Sequence, residues 1–398
     1  MKYTIHDYDK RLEMAINKLK ASPISDNNKK VILDFKNECL VNGLTKGRAL
    51  KYIYYLLMIA KWLGKDFQEA NKDDIKIVVG KIEESKYAPI SKKELKMTIR
   101  KVYKWLEGSE EYPEKVKWIS LYIKNQARIK IPEELVSEEE IQRMIQASSN
   151  PRDRAFIASI YESGCRIGEI LFLKIKHVSS DQYGVVIVID GKTGQRRIRL
   201  ISSAPYLIEW INKHPNNSPD SFVWISQNNE ILEYNGIRTL IRRIGRKAGV
   251  NKRLNPHIFR HSRATFLANH LTEAQMKEYF GWVRASDMAA VYVHLSGRDV
   301  DNALLRLNGI EVDKENNGKS KLIPKKCNRC EDENPVTSKF CKRCGFPLNS
   351  EMIMDMVKTE LERKDADNML DKLIEDREFR ELFERKIKEM KHIQFTSK

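Results

Sequence analysis

PHIFRHS, residues 256–262, places His257 three residues before Arg260 in a helix-like stretch. A guanidinium group stays protonated at any working pH and can bind two oxygens of a phosphate at once. An imidazole can move protons near neutral pH. The pair therefore favours chemistry on a phosphate ester, although His-x-x-Arg also occurs by accident in many chains.

A second arginine and a tyrosine flank this stretch. Arg166 lies upstream in YESGCRIGE, residues 161–169, after a Ser-Gly break that lets its side chain face a groove. Tyr292 lies downstream, after the pair Gly281-Trp282. Two guanidinium groups can stabilise the charge of a five-coordinate phosphorus, which is usually the largest catalytic term. A tyrosine hydroxyl titrates near ~10, so it attacks phosphorus only when cations or a base help it lose its proton. The product, a phosphotyrosine ester, conserves the bond energy, which predicts strand exchange rather than hydrolysis.

Each of these residues has a simpler interpretation when it is taken alone. Arg166, three residues before Glu169, has the spacing of an ion pair on a helix surface. Tyr292 is one of 15 tyrosines and lies among alanines and valines, so core packing is its default role. The combination of residues is far more specific than any one of them.

A β-hairpin is predicted between Arg166 and His257. Two runs rich in β-branched residues, 185–189 and 197–201, flank the turn 190–194. The turn presents Lys192, which is either a solvated turn lysine or a proton donor.

In the order of these motifs, from about residue 10 to about residue 310, the chain resembles the tyrosine recombinases of the phage-integrase and Xer type. The resemblance implies that Arg166 and Arg260 bind the scissile phosphate of double-stranded DNA and that His257 assists proton transfer. It implies that Tyr292 attacks to give a 3′-phosphotyrosine and a free 5′-hydroxyl. Lys192 would be the general acid for the leaving 5′-oxygen. Four subunits on two DNA sites would form the working homo-oligomer, without ATP, a cofactor or a catalytic metal.

Trp282 departs from the commonest pattern of the family. Many members have a second histidine at this position, and some have tryptophan. The indole N–H can donate to the phosphate but cannot transfer a proton. The resemblance therefore implies donation or packing for Trp282.

Two other functions compete with recombination. Topoisomerases of type IB share the tyrosine nucleophile, but they usually carry lysine or arginine where His257 stands and histidine where Trp282 stands. A catalytically silent DNA-binding accessory protein is disfavoured because all the candidate catalytic groups are present. A metal-dependent nuclease is further off, since no carboxylate cluster at strand ends suggests a two-metal site.

Composition agrees with a nucleic-acid partner. Lysine and arginine total 72 against 55 acidic residues, which gives a formal net charge of +17 that favours polyanions. No apolar run approaches the ~20 residues of a membrane span, and the N-terminus lacks the apolar region of a signal peptide. We therefore expect a cytoplasmic, nucleoid-associated protein without a membrane partner.

Four of the six cysteines form two CxxC pairs that are separated by ten residues, namely Cys327, Cys330, Cys341 and Cys344. This is the ligand spacing of an all-thiolate zinc ribbon, in which Gly345 would allow the tight turn around the metal. A disulfide pair is the alternative. The other two, Cys39 and Cys165, are interpreted as small buried apolar residues.

A chain of 398 residues predicts two or more domains. Residues 1–108 have a helical pattern, with Ser25 as a helix start and Gly43 and Gly64 as helix ends. The resemblance implies that they form a core-binding domain that clamps DNA. A linker, the catalytic domain, the zinc ribbon and an amphipathic helical tail follow at 109–132, 133–312, 321–348 and 351–398. A capping box at Ser137 opens the catalytic domain. The tail either docks on a neighbouring subunit or folds back on its own domain.

The expected fold class is mainly α with a small antiparallel β part. The catalytic domain is expected to be α+β with helices dominant. In the four-cysteine ribbon on its C-terminal side, the chain resembles archaeal integrase-like proteins.

Overall fold

The computed structural model describes residues 7–122, 134–191, 194–295, 307–308 and 320–394. It divides into two compact units, Met1–Lys130 and Ile131–Lys398. The described residues are mostly helical and carry two small antiparallel sheets. This confirms the predicted fold class.

The first unit is helical. Its elements are α1 (Tyr8–Lys20), α2 (Asp26–Val41), α3 (Lys46–Leu63), α4 (Lys72–Glu84), α5 (Pro89–Leu106) and α6 (Glu114–Lys117). Helix α3 is the central element, because it contacts α1, α2, α4 and α5 and buries apolar side chains around most of its circumference. The predicted ends are confirmed: the Ser25 side chain accepts the Asn28 N–H at the start of α2, and Gly64 ends α3 with φ of 72°.

The second unit opens with the α+β part. Its elements are α7 (Glu138–Ala147), α8 (Pro151–Ser163), α9 (Ile167–Leu171), β1 (Val178–Asp181), β2 (Gly184–Gly191), β3 (Gly194–Leu200), α10 (Ala204–Asn212), α11 (Tyr234–Lys247), α12 (Pro256–Ala268), α13 (Glu273–Phe280) and α14 (Met288–Leu295). The capping box of Ser137 and Glu140 begins α7, as predicted. Helix α8 is buried along nearly its whole length and contacts α7, α10, α12 and β3, so it is the core of this part.

The hairpin is confirmed and is longer than predicted. Strands β2 and β3 pair antiparallel from Val185↔Leu200 to Gly191↔Gly194. The sequence analysis missed β1, which pairs with β2 along its other edge. Strand β1 is a short edge strand of mostly exposed polar residues, so it lacks the alternation that reveals a half-buried strand. The buried carboxylate of Glu162 accepts the N–H groups of Ile201, Ser202 and Ser203 at 2.7–2.9 Å, which ties the end of β3 to α8.

The ribbon, residues 321–348, packs on the α+β part. Strands β4 (Lys325–Lys326) and β5 (Glu333–Asn334) pair antiparallel within it. Leu322 is buried, the Lys321 N–H donates to the Glu138 carboxylate at 2.6 Å, and the hydroxyls of Tyr206 and Thr337 lie 2.7 Å apart. The ribbon is therefore docked on the α+β part rather than tethered to it.

Two helices end the described chain, α15 (Ser350–Glu375) and α16 (Arg377–Gln394). They contact each other, and the rings of Phe379 and Phe383 stack with centroids 5.9 Å apart. Several large apolar side chains along them are exposed, among them Leu361, Met369 and Leu382. Across the residues described here, no helix is both long and apolar enough to span a bilayer.

Candidate active site

Arg260 lies one turn into α12, a helix whose N-terminus is well defined. The Asn255 side chain accepts the N–H groups of His257 and Ile258 at 3.0 and 3.2 Å, which caps the helix. The guanidinium of Arg260 is buried and donates to the carbonyl oxygens of Gly164 and Phe280 at 2.9 and 2.7 Å. These two bonds use only part of the donor set of a guanidinium fork. The remaining part is available to an oxyanion.

Gly164 allows this close approach. It ends α8 in the left-handed region with φ of 55°, and a Cβ at this position would lie 2.5 Å from the Phe280 ring. The Ser-Gly break of the sequence is thus the point where the chain turns from α8 towards Arg166.

Arg166 is the N-cap residue of α9 and is held by Glu169. Its Nη1 donates to Glu169 Oε1 at 2.9 Å, and its backbone N–H donates to Oε2 at 2.8 Å. Its Nη2 lies 3.4 Å from the carbonyl oxygen of Gly281. The ion pair suggested by the sequence forms, but it is not a surface pair, because the Glu169 side chain is only 6% exposed. Arg166 and Arg260 therefore bond to adjacent carbonyls at the end of α13.

A third arginine completes this arrangement. Arg196 on β3 donates to both carboxylate oxygens of Glu169, at 3.1 and 2.7 Å, and to the Tyr279 carbonyl oxygen at 3.1 Å. Burial alone would raise the pKa of Glu169, but the hydrogen bond and charge of Arg196, followed by the bonds to Arg166, hold it below its usual value. Glu169 is thus a carboxylate that orients Arg166. We call Arg166, Glu169, Arg196 and Arg260 the arginine site.

Tyr292 lies on α14, which packs against α12. Its ring stacks on Trp282 with centroids 5.6 Å apart and planes 2° apart, and Trp282 stacks on Phe280 at 4.9 Å. Its hydroxyl is hydrogen-bonded to Nδ1 of His261. Tyr292 is 5% exposed and belongs to a small apolar core. Core packing, the default role that the sequence gave Tyr292, is therefore observed, and its hydroxyl nevertheless has a polar partner.

The electrostatics of the site favour an added anion. Burial, and then the nearby positive charge of Arg166, lower the pKa of Arg260 to about 10, so the group stays cationic at neutral pH. Its guanidinium also lies over the rings of Phe280 and Trp282, at 5.0 and 5.5 Å from their centroids. Burial raises the pKa of Tyr292 to about 12, and the charge of Arg260 opposes this rise. A phosphate between the two arginines would relieve their mutual repulsion.

Matching known proteins identifies the fold that carries this site. Residues 134–298 match the model of the phage integrase family. Tyrosine recombinase XerA of Pyrococcus horikoshii is 26% identical over 292 residues, which cover 72% of this chain and 96% of that protein. Tyrosine recombinase XerC of Treponema denticola is 24% identical over 286 residues, covering 66% and 92%. Residues 134–298 thus belong to the phage integrase family, and the chain is similar to tyrosine recombinases over about two thirds of its length or more.

Solved structures agree with this tyrosine recombinase fold. The XerH site-specific recombinase, in a post-cleavage complex with palindromic difH substrate, has a TM-score of 0.55 at 18% identity, with 77% of this chain and all of that chain covered. A lambda integrase dimer bound to a COC′ core site has a TM-score of 0.55 at 16% identity, with 68% and 78% covered. The chain is a tyrosine-type site-specific recombinase, a family that recombines DNA by cleaving it.

The remaining candidate residues, His257, Trp282 and Lys192, differ in how they lie relative to the residues described above. His257 is exposed in the first turn of α12, one turn before His261. Trp282 lies between Phe280 and Tyr292 in the ring stack. Lys192 lies outside the described residues. Its neighbour Gly191 ends β2 against the arginine site, since a Cβ there would lie 2.9 Å from Glu169 Oε1 and 3.0 Å from Arg196 Nη1. The described end of β2 therefore lies at the arginine site.

Two residues of the site were missed by the sequence analysis. Arg196 could have been found from strand parity, because it shares the inner face of β3 with the buried residues Ile198 and Leu200, whereas Arg197 is exposed. His261 lies in the PHIFRHS stretch, where no sequence pattern indicates a role for it. Only the packing of α14 on α12 brings it to Tyr292.

The four ribbon cysteines converge as the spacing predicted. Their Sγ atoms all lie within 4.8 Å of one another, with Cys327 to Cys344 at 3.6 Å and Cys330 to Cys341 at 3.5 Å. Tetrahedral thiolates with Zn–S bonds of about 2.3 Å have sulfur atoms about 3.8 Å apart, so the cluster fits zinc. These separations are far longer than a disulfide bond. The cluster lies beyond residue 298, where the family match ends.

The local backbone of the ribbon suits thiolates. Gly345 follows Cys344 in the left-handed region with φ of 70°, as predicted, and its N–H donates to the Cys341 carbonyl oxygen at 2.9 Å. Amide groups also approach the sulfurs: the Arg329 N–H at 3.4 Å from Cys327 and the Asn334 side chain at 3.6 Å from Cys341. Cys39 and Cys165 are buried elsewhere, and burial raises the pKa of the Cys165 thiol to about 11. This disfavours Cys165 as a nucleophile.

Proposed function

We propose that this recombinase cleaves and rejoins DNA strands through a 3′-phosphotyrosine on Tyr292. One observation carries the proposal: the hydroxyl of Tyr292 is held by His261, the residue that directly follows Arg260 on α12. A nucleophile and a buried guanidinium are thereby fixed on adjoining helices. Such preorganisation avoids the cost of assembling the reacting groups at each turnover.

Arg166 and Arg260 bind the scissile phosphate in this proposal. Carbonyl oxygens and Glu169 hold both guanidinium groups before DNA arrives. Their remaining N–H groups can donate to the non-bridging oxygens as negative charge develops there. Burial, and then the proximity of Arg166, lower the pKa of Arg260, and this proximity of two cations supports a site built for an anion.

The leaving 5′-oxygen receives its proton from Lys192. Gly191, the residue before it, lies against Glu169 and Arg196, which supports this assignment. His257 assists proton transfer from the exposed first turn of α12. Trp282 donates its indole N–H or supports Tyr292 by stacking.

Double-stranded DNA is the proposed substrate, and a homo-oligomer on DNA is the proposed working form. XerH bound to difH and a lambda integrase tetramer bound to a Holliday junction, both similar in fold, support this assignment. The formal charge of +17 supports it independently. In this proposal the helical unit clamps the duplex, and the enzyme acts in the cytoplasm at the nucleoid. The exposed apolar side chains of α15 and α16 dock on a neighbouring subunit.

A single zinc ion is the proposed structural metal, and Cys327, Cys330, Cys341 and Cys344 would hold it. The separations of the four sulfurs and the amide groups directed at them support this assignment. When bound, the ion would fix the two turns of a module that has little apolar core of its own.

A covalent trap tests the function. The full chain is first used to select its binding sequence from a randomised duplex library, and the selected duplex is then nicked so that cleavage cannot be reversed. The wild-type chain should form a covalent adduct whose DNA-linked peptide contains Tyr292. Tyr292→Phe should bind the duplex equally well and give no adduct, because only the attacking oxygen is removed.

Other outcomes identify the competing functions. An adduct on another residue, such as Tyr279, would refute Tyr292 as nucleophile. Binding without any adduct from the wild-type chain would indicate a silent accessory protein. Relaxation of supercoiled DNA by single protomers, without exchange between paired sites, would indicate a type IB topoisomerase.

A further inference from the structure

The hydroxyl of Tyr292 donates or accepts a hydrogen bond at one nitrogen, Nδ1 of His261. We propose that His261 takes the proton from Tyr292 when the hydroxyl attacks phosphorus and returns it when the strand is rejoined. This rests on the proposed role of Tyr292 as nucleophile. Neither the sequence motifs nor the family resemblance gives His261 a role.

The geometry of α12 separates the tasks of two consecutive residues. Neighbours on a helix differ in direction by about 100°. Arg260 is directed to the carbonyl oxygens of Gly164 and Phe280, whereas His261 is directed to α14 and reaches the Tyr292 hydroxyl. The ring centroids of His261 and Tyr292 lie 6.0 Å apart and the ring planes are tilted by 37°. The contact is therefore between polar edges rather than stacked faces. One helix thus serves both the phosphate and the nucleophile.

The chemistry of Tyr292 requires such a partner. Its hydroxyl is buried with its ring in the apolar stack on Trp282, and burial disfavours the phenolate more than the charge of Arg260 favours it. An imidazole titrates near ~6.5 in model peptides, so it can accept a proton at neutral pH where water cannot compete. Base assistance of this kind contributes roughly 10²–10⁴ in rate.

The protons and bonds balance over the cycle. In cleavage, Tyr292 Oη forms a bond to phosphorus, its proton passes to Nδ1 of His261, and the bond from phosphorus to the 5′-oxygen breaks. That oxygen takes a proton from the general acid, for which Lys192 is proposed. In rejoining, the incoming 5′-hydroxyl gives its proton to that group, and His261 returns its proton to Oη as the phosphotyrosine bond breaks. For Nδ1 to accept, the resting imidazole carries its proton on Nε2.

His257 is less suited to this task. It lies one turn before His261 on the same face of α12, in the exposed first turn of the helix. His261 is half-buried and in direct contact with the reacting oxygen. The two histidines therefore have separable positions, and a substitution of each should give a different phenotype.

The experiment changes the acidity of the nucleophile in two backgrounds. Fluorotyrosine, a phenol that ionises more readily, is incorporated at position 292 of the wild-type chain and of His261→Asn. Single-turnover adduct formation is measured at neutral pH on the nicked duplex selected by the full chain. With tyrosine at 292, His261→Asn should slow adduct formation about 10²-fold. Fluorotyrosine should recover about tenfold of that loss or more, and should have little effect in the wild-type background.

Controls separate proton transfer from support of the fold. His270→Asn removes an imidazole just after α12 that packs on Phe266, and it should leave the rate unchanged. Band-shift affinity for the duplex reports folding, and His261→Gln serves as the second variant if the asparagine variant does not fold.

Three results would overturn the inference. One is an adduct rate for both His261 variants within about threefold of wild type. A second is an equal effect of fluorotyrosine in both backgrounds, which would leave His261 a structural support only. The third is a wild-type chain that forms no Tyr292 adduct, which would remove the proposed function itself and this inference with it.

Discussion

The arginine site draws its side chains from residues 166 to 260, whereas the four cysteines of the ribbon lie within residues 327–344. The arginine site is held by a buried carboxylate, backbone carbonyls and the core around α8. The ribbon has a two-residue strand pair and four converging sulfurs instead of a large core. The first cluster is thus fixed by the fold around it, whereas the proposed metal would fix the fold of the second.

Metal removal should produce the largest effect in this comparison. Zinc binding by four thiolates is worth roughly 10–16 kcal/mol to a small module, far more than its apolar burial. Purified protein should contain about one zinc per chain, and Cys341→Ser should lose it together with hydrogen-exchange protection across 321–348. The matched control Cys39→Ser changes a buried cysteine of the helical unit and should keep the metal. Metal-free protein with a protected 321–348 segment would contradict the zinc ribbon.

Removing Arg196, the bidentate partner of the Glu169 carboxylate, should give the next largest effect on stability. Arg196→Met removes the bidentate partner of Glu169 and leaves a buried charge to Arg166 alone, which should cost about 3–5 kcal/mol of unfolding free energy in urea titrations. Arg199→Met is the control on the same strand, because its partner Asp181 is partly exposed, and it should cost much less stability than Arg196→Met. Equal losses of unfolding free energy in both variants would show that Arg196 stabilises Glu169 no more than an exposed ion pair would.

The pH dependence of the Arg196→Met effect follows from the pKa of Glu169. In the wild-type fold this pKa is lowered, so the carboxylate stabilises the protein above its unfolded pKa of ~4.3 and that stabilisation is lost as the pH falls through the folded value. In Arg196→Met the main opposing cation is gone, so burial raises the pKa of Glu169. The difference in stability between the two proteins should therefore be full above this raised pKa and shrink as the pH falls through it towards the lowered pKa of the wild type.

Removing either of the arginines proposed to bind the phosphate, Arg166 or Arg260, should give a smaller effect, which is confined to catalysis. Arg166→Ala and Arg260→Ala leave the Tyr292 hydroxyl in place, so an adduct should still form, but roughly 10²–10³ more slowly, as for the loss of one oxyanion donor. Arg243→Ala, which removes an exposed arginine on α11, should form the adduct at the wild-type rate once the duplex is bound. Wild-type cleavage rates in both clamp variants on saturated DNA would contradict their assignment to the phosphate.

The same comparison explains what the sequence could predict. The cysteines, the His257–Arg260 spacing and the capping box at Ser137 depend on residues a few positions apart, so their pattern is visible in the chain itself. Arg196 and His261 acquire partners only when β3 meets α9 and α14 meets α12, since 27 and 31 residues separate the bonded pairs. Strand β1 was not predicted for another reason, because a short exposed edge strand carries no hydrophobic alternation. Local chemistry was predictable, and tertiary pairing was not.

The two turns of the ribbon give the smallest and most specific prediction. Both CxxC pairs are followed by a residue in the left-handed region, Glu331 with φ of 60° and Gly345 with φ of 70°, and each N–H donates to the first cysteine's carbonyl oxygen at 2.9 Å. A side chain in this region costs about 1–2 kcal/mol relative to the right-handed one, a cost that glycine avoids.

Glu331→Gly should therefore stabilise the ribbon by about 1 kcal/mol, after the greater flexibility of unfolded glycine is taken into account. Loss of the ion pair with Lys326 should matter little, because both side chains are largely exposed. Gly345→Ala is the opposite test and should destabilise by a similar amount. Zinc retention against a competing chelator measures both changes, and a ribbon that releases zinc more readily in Glu331→Gly would show that the two turns are not equivalent.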